Sequence, residues 1–151
     1  MILWRLRLRP VWVEFCCGDG NQLSLASYPA YIGIDVSAAA VQKCRQRFAG
    51  DQSKSFILAS GCAGETADLA LSLDVIYHLV EDSIYAAYMR DLFAATNKYV
   101  IIYSSKFEGG DAVSASHERH RNFTHWVEAN CPGFKLLRVV NNRYPYRGVD
   151  S

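Results

Sequence analysis

Short apolar runs alternate along the chain with stretches in which apolar residues recur every three or four positions. The first pattern is typical of strands and the second of helices. The predicted strands are residues 11–15, 31–34, 56–59, 67–73, 99–103 and 134–140. The continuous apolar run of residues 99–103 suits a strand buried on both faces, and residues 104–116 are expected to form a polar loop. The predicted helices are residues 21–27, 38–48, 82–96 and 118–130, and Ser37 is the expected N-cap of the second. Strands that alternate with helices predict an α/β fold, a three-layer, doubly wound, mostly parallel sheet with helices on both faces.

Composition and charge exclude several classes of protein. The chain has 151 residues, half of them hydrophobic, which fits one domain over residues 1–151 and excludes intrinsic disorder. Sixteen Lys and Arg against fifteen Asp and Glu leave a net charge of +1, so we expect no nucleic-acid partner. No apolar run is long enough to cross a membrane, and residues 1–9 lack the uninterrupted apolar stretch of a secretory signal. We therefore expect a cytoplasmic protein without a membrane partner.

The five cysteines fit no zinc-binding pattern and are odd in number. Cys16 and Cys17 are adjacent, so on a strand or a tight turn their side chains would point to opposite sides. We interpret the cysteines as small buried thiols in a reducing compartment.

The candidate chemistry begins after the first predicted strand, where the chain reads Glu14-Phe-Cys-Cys-Gly-Asp-Gly20. Glycines there allow a ligand to approach the backbone closely. Asp35 ends the second predicted strand, where a carboxylate can accept hydrogen bonds from both hydroxyls of a ribose. Together these features predict a nucleoside site. The dinucleotide motif G-x-G-x-x-G fails at Leu23, which disfavours a nicotinamide-dependent oxidoreductase.

The pattern instead matches acidic-x-G-x-G-x-G, with Glu14, Gly18 and Gly20 in register and Cys16 at the first glycine position. Here the chain resembles the class I S-adenosylmethionine (SAM)-dependent methyltransferases. The matching segments are VEFCCGDGNQL, YIGIDVS with AVQKCRQRF, ADLALSLDVIYHL and YVIIYSS. They lie within residues 11–105, in the order and at the spacing of that family. The resemblance implies a Rossmann-like fold and SAM as the cofactor.

The resemblance also implies positions that bind the cofactor. Asp35 would bind the ribose hydroxyls, Val36 the adenine ring, and Gly18 and Gly20 would lie near the methionine moiety, while Glu14 would anchor the loop. The full set is Glu14, Cys16, Gly18, Gly20, Asp35, Val36, Ser60, Gly61, Cys62 and Leu73. The family has glycine at the position of Cys16, and a positive φ there would be strained in this chain because cysteine has a Cβ.

The methyl acceptor is predicted less directly. Asp74 and His78 follow the fourth predicted strand and are the candidate catalytic residues, with His78 as a base for a hydroxyl acceptor. The Pro-Pro motif of nucleobase amine methyltransferases is missing after Leu73, so we expect a small-molecule acceptor, methylated at oxygen. The three histidines of residues 117–125 are interpreted as a solvated helix start, with an acceptor-binding role or a metal site as alternatives. No metal is expected.

The end of the chain departs from the family. Residues 141–151 contain Pro145 and Gly148 and are poor strand material, so the last antiparallel strand of the family is expected to be missing. That would leave a sheet edge for a second copy to cover, giving a homo-oligomer. An alternative function is a catalytically weak or inactive nucleoside-binding module that serves as a partner subunit.

Overall fold

The structure is a computed structural model that describes residues 10–62, 64, 66–105 and 112–143. Residues 1–9, Pro145 and Gly148, on which some predictions depend, lie outside this part of the chain. The described strands are β1 (Trp12–Phe15), β2 (Tyr31–Asp35), β3 (Lys54–Leu58), β4 (Ala67–Leu73), β5 (Thr96–Tyr103), β6 (Ala112–Ala115) and β7 (Glu118–His120). The described α-helices are α1 (Ala38–Arg47), α2 (Asp82–Ala94) and α3 (Phe123–Asn130). Short 3-10 helices span Leu23–Leu25, Ala59–Gly61 and Ile76–His78.

Five strands form one parallel sheet in the order β3-β2-β1-β4-β5. The register pairs Phe15 with Ile34 on one side and with Ser72 on the other. Parallel pairing brings the carboxyl ends of all five strands to one edge of the sheet. In open α/β sheets this edge is where ligands bind.

Helices cover both faces of this sheet. Val41 and Cys44 of α1 pack in a core with Tyr31, whereas Met89 and Leu92 of α2 pack in a second core with Ile34. Tyr31 and Ile34 therefore point to opposite faces of β2, as the alternation of side chains along a strand requires. Residues of α3 pack against the second core as well. The predicted three-layer, doubly wound α/β fold is confirmed.

Helix α1 shows how the local sequence determines an element. Ser37 has an extended backbone, and its hydroxyl accepts a hydrogen bond from the Ala40 amide at 3.3 Å, so it is the predicted N-cap. Val41 and Cys44, three positions apart, form its buried face. The helix ends where Arg45 and Arg47 occupy its last turn, close to the negative end of the helix dipole.

The predicted helix over residues 118–130 is wrong in its first half. Residues Glu118–His120 form strand β7, which pairs antiparallel with β6 inside the stretch expected to be a loop. The helix begins only after Asn122, whose side-chain oxygen accepts from the His125 amide at 3.4 Å. Asparagine favours the N-cap over a helix interior, so it separates the hairpin from α3.

Two predictions, about strand β5 and about residues 134–140, are also wrong. Strand β5 is not buried on both faces, because Tyr99, Ile101 and Tyr103, which share one face, are about half exposed, at 56%, 50% and 48%. Residues 134–140 form neither strand nor helix. Leu137 and Val140 are 74% and 73% exposed, so the apolar pattern there is not buried by the described part of the chain. Whether a second copy covers this edge stays a prediction.

None of the helices within the described ranges is long and apolar enough to span a bilayer.

Candidate functional site

The loop after β1 reverses the chain at the carboxyl edge of the sheet. Cys16, Gly18 and Gly20 have φ angles of +58°, +59° and +75°, all in the left-handed region. An L-residue other than glycine loses about 1–2 kcal/mol there. The sequence predicted strain at Cys16 if φ were positive, and the structure shows this strain. Burial, with the nearby charges of Asp35 and Glu14, raises the pKa of the Cys16 thiol to about 11, so it stays protonated.

The two glycines of this loop serve different purposes. A Cβ added at Gly20 would lie 2.8 Å from the Phe48 ring and 3.0 Å from Cys44 Sγ, so glycine is required there for packing against α1. A Cβ at Gly18 would meet nothing within 4 Å, and the surface there is open. Gly18 thus presents its backbone to space that a ligand can enter. The expected contact of both glycines with the methionine moiety stays a prediction.

Asp35 connects this loop to the end of β2. Its carboxylate is buried and accepts from the Gly18 amide at 2.9 Å through Oδ2 and from the Ser37 amide at 2.8 Å through Oδ1. Each oxygen has two acceptor positions, so each can still accept a hydroxyl hydrogen bond. The carboxylate is oriented by the backbone before any ligand binds.

The surroundings of Asp35 fit SAM. Val36 follows it directly and exposes 76% of its surface, which provides an apolar contact for an adenine ring beside the ribose position. Gly18, whose amide donates to Asp35, adjoins open space. When bound, SAM would supply a methyl carbon activated by a sulfonium, with Asp35 on its ribose and Val36 on its adenine.

Glu14 lies on β1 below the loop. It is buried, and its carboxylate accepts a hydrogen bond from the Tyr31 hydroxyl at 2.6 Å. Burial raises the pKa of Glu14, while the Tyr31 hydrogen bond opposes that shift. The contact joins β1 to β2, so Glu14 stabilises the strand pair that carries both the loop and Asp35.

The remaining predicted cofactor residues lie on the same edge. Ser60 and Gly61 belong to the 3-10 helix directly after β3 and are exposed, and Cys62, half-buried, packs against the core. Leu73 ends β4, beside the end of β5. The structure therefore places every predicted cofactor residue on or directly below one edge of the sheet, but shows no bond from Ser60, Gly61 or Leu73 to the glycine loop among the described contacts.

The predicted catalytic residues follow β4. Asp74 has a φ of +59°, a strained conformation for aspartate, and its amide donates to the Tyr103 carbonyl at 2.9 Å. Burial, together with the negative charge of Asp74, raises the pKa of Tyr77. His78 is exposed, and its ring centroid lies 4.3 Å from that of Tyr77. Backbone strain of this kind concentrates at functional sites.

The structure adds Ser105, which sequence reasoning missed, and brings to the site His120, for which an acceptor-binding role was an alternative interpretation. The β6–β7 hairpin brings His120 to Tyr77, with ring centroids 5.6 Å apart, and Ser105 hydrogen-bonds His120. Of the other two histidines in that stretch, His117 lies in the hairpin turn and His125 on α3. The sequence feature that could have indicated this arrangement is the spacing of Glu118 and His120, which are two positions apart and would lie on the same side of a strand.

The comparisons with known proteins agree with this geometry. The methyltransferase domain of bacterial CtHen1-CN is 23% identical and has a TM-score of 0.59, with 80% of this chain and 74% of that chain covered. The sugar N-methyltransferase KedS8 from Streptoalloteichus sp ATCC 53650 is 16% identical with a TM-score of 0.56, covering 67% of this chain and 43% of that chain. SAM-bound CalS10, an amino pentose methyltransferase from Micromonospora echinaspora, is 15% identical with a TM-score of 0.56, covering 68% and 45%.

At these identities the structural likeness shows a shared fold, and the chain spans less than half the length of the two sugar methyltransferases. No curated protein matches the chain significantly. The family described as "Methyltransferase domain" matches residues 13–94, which is more than half of the sequence and includes the glycine loop, Asp35 and Asp74. The chain belongs to this methyltransferase-domain family.

Proposed function

We propose that this protein transfers a methyl group from SAM to a small-molecule acceptor, at an oxygen atom. The observation that carries the proposal is the Asp35 carboxylate, buried and held by the amides of Gly18 and Ser37, with the exposed Val36 beside it. This arrangement suits a ribose next to an adenine. The family match and the SAM-bound neighbour CalS10 support SAM as the nucleoside.

The residues of this chain would bind the cofactor, orient the acceptor and remove a proton from it. Asp35 and the open surface at Gly18 would fix the cofactor at the ends of β1 and β2. The strained Asp74 and the neighbouring Tyr77 would face the acceptor at the end of β4. Methyl transfer is an in-line displacement, so alignment of donor and acceptor supplies much of the catalysis.

Binding of SAM, S-adenosylhomocysteine and NAD to the purified protein tests the proposal. Ligand at about 100 times its dissociation constant stabilises the folded protein by roughly 2.7 kcal/mol, which raises Tm by several degrees at this chain length. We expect that shift with both sulfur nucleosides and none with NAD. A shift with NAD alone, or with none of the three, would contradict the proposal.

A second candidate function is a nucleoside-binding module without turnover. The observation that favours it is Cys16, which occupies a left-handed position where glycine would be unstrained. SAM binding without release of S-adenosylhomocysteine from any acceptor would support this second function over the first.

A further inference from the structure

The cluster at the ends of β4 and β5 contains an imidazole with three neighbours from three segments. Ser105, just after β5, hydrogen-bonds Nδ1 of His120. Tyr77, from the 3-10 helix after β4, lies against the imidazole ring, and the Glu118 carboxylate lies 4.0 Å from Nε2. Burial and the charges of Asp74 and Glu118 raise the pKa of the Tyr77 hydroxyl. The imidazole is partly covered, with 23% of the side chain exposed.

A buried arginine holds this cluster together. Arg121 follows His120 directly and is 8% exposed. Its guanidinium donates to the carbonyls of Leu79 at 2.7 Å and Val80 at 2.6 Å, and it lies 4.4 Å from the Tyr85 ring centroid. Leu79 follows the 3-10 helix that carries Tyr77. Arg121 thus attaches the strand that carries His120 to the segment that carries Tyr77, more than 40 positions earlier.

The two nitrogens of His120 have different environments, and this difference suits a base. When Nδ1–H donates to Ser105 Oγ, Nε2 keeps a lone pair that can accept a proton. At 4.0 Å the Glu118 carboxylate is too distant for a hydrogen bond with Nε2, yet close enough to stabilise a positive charge on the ring. His78, the base predicted from the sequence, is exposed instead.

We propose that His120 is the general base of the methyl transfer and that the acceptor is a hydroxyl group; this inference rests on the proposed function. The acceptor oxygen forms a bond to the methyl carbon of SAM, and the bond from that carbon to sulfur breaks with its electron pair staying on sulfur. The hydroxyl proton passes to Nε2 of His120, and the resulting imidazolium is stabilised by Glu118 before it releases the proton to water. The products are the methyl ether, S-adenosylhomocysteine and a proton.

The chemistry explains why a base at this position points to oxygen. A neutral amine attacks the methyl group with its own lone pair, and the ammonium product loses its proton to water afterwards. A hydroxyl oxygen is a much weaker nucleophile and must lose its proton as the new bond forms. General base catalysis contributes about 10²–10⁴-fold in such a step. A positioned imidazole is therefore needed more by a hydroxyl acceptor than by an amine that is already neutral, so the amines are assayed at a pH at which they are deprotonated.

The first experiment identifies the acceptor atom. Release of S-adenosylhomocysteine from SAM is measured with matched alcohol and amine pairs: methyl glucoside and methyl glucosaminide, cyclohexanol and cyclohexylamine, phenol and aniline. SAM affinity is measured in parallel by calorimetry. We expect turnover with at least one alcohol. With SAM bound, turnover with amines alone or with no compound would overturn the inference while leaving cofactor binding intact. If SAM does not bind, the proposed function fails and the inference fails with it.

The second experiment compares His120→Asn with His125→Asn, an exposed histidine on α3 that serves as the matched control. We expect kcat to fall at least 100-fold in His120→Asn, with KM and the SAM dissociation constant changed less than threefold, and no change in His125→Asn. His120→Gln provides a second variant should the first be unstable. The kcat/KM of the wild type is also measured against pH, and the pH dependence should change in His120→Asn and not in His125→Asn.

A turnover of His120→Asn within threefold of wild type would overturn the assignment. So would a rise in KM with kcat unchanged, since that marks a binding residue. A large loss of kcat in His78→Asn together with normal turnover in His120→Asn would show that His78, the base predicted from the sequence, takes this role.

Discussion

Replacement of Asp35 by alanine tests the foundation of the cofactor site. The substitution removes the acceptor of two backbone amides, those of Gly18 at 2.9 Å and Ser37 at 2.8 Å. It would also remove the acceptor of the ribose hydroxyls. Hydrogen bonds to a charged group contribute about 1.5–3 kcal/mol each, and a buried donor left without a partner costs about 1–3 kcal/mol. The substitution should therefore affect both the binding of SAM and the stability of the fold.

The two effects can be separated. The loss of the ribose contact should weaken SAM binding by about 1–3 kcal/mol, which is roughly 5- to 150-fold in the dissociation constant. Water can enter the vacated space and solvate the two amides, so we expect a loss of stability of about 2 kcal/mol and a Tm lower by about 4–8 °C. Calorimetric titration well below that Tm measures binding, and thermal unfolding by circular dichroism measures stability.

Asp19 provides the matched control. It lies in the same loop, is exposed, and accepts a single backbone hydrogen bond, from the Asn21 amide at 3.1 Å. Asp19→Ala should leave SAM affinity within twofold of wild type. If Asp35→Ala lowers Tm but leaves SAM affinity unchanged, Asp35 only braces the loop and the reasoning about the ribose site is refuted.

Three further predictions concern the backbone and charge around this loop. Cys16→Gly should raise stability by about 0.5–1 kcal/mol by relieving the left-handed φ, with SAM binding retained, as urea unfolding and calorimetry would show; a loss of binding would contradict the register of the motif. Gly20→Ala should lower stability by about 2–3 kcal/mol because strain and overlap combine, against about 1 kcal/mol for Gly18→Ala, which adds strain alone; equal losses in urea unfolding would contradict the packing argument. Burial raises the pKa of Glu14, so the folded protein binds this proton more tightly than the unfolded chain does. The stabilisation of the fold by the protonated carboxyl is therefore complete at acid pH and is lost as pH rises through the pKa of the folded state. Glu14→Gln, which keeps an acceptor for Tyr31, should therefore gain stability relative to wild type as pH rises from 4 to 8, and a constant difference across that range would contradict the assignment.

The part of the site expected to bind the cofactor, the glycine loop with Asp35, could be predicted from the sequence because residues close together in the chain form it. The glycine loop requires left-handed backbone within a few residues of β1, and Asp35 is the residue at which β2 ends. Strand β4 was predicted at its observed bounds, Ala67–Leu73, because this run is mostly apolar, with only Asp68 and Ser72 as polar members, and is bounded by polar residues on both sides. Each of these features depends on neighbours in the chain rather than on contacts from elsewhere.

The edge of the sheet was not predictable in the same way. Residues 99–103 have the composition of a strand buried on both faces, yet Ile101 is half exposed, because the face of β5 that it shares with Tyr99 and Tyr103 is not covered by the described part of the chain. Position in a sheet depends on which other strands pair, and a single run of residues carries no such information. The same reason explains residues 134–140, whose apolar pattern would suit a strand but which pair with no described strand.

The acceptor half depends on contacts between distant segments, and this explains why the sequence indicated His78 rather than His120. Glu118 to Asn130 has enough helical periodicity to predict one helix, and that helix would have placed His120 on a solvated face. Arg121 opposes such a helix, because its hydrogen bonds to the carbonyls of Leu79 and Val80 hold the adjoining strand β7 beside the segment after β4. A buried guanidinium needs such partners to offset its desolvation. The same contacts that exclude a helix at this position bring His120 to the end of β4, so the interruption of the helix and the assembly of the acceptor side have one cause.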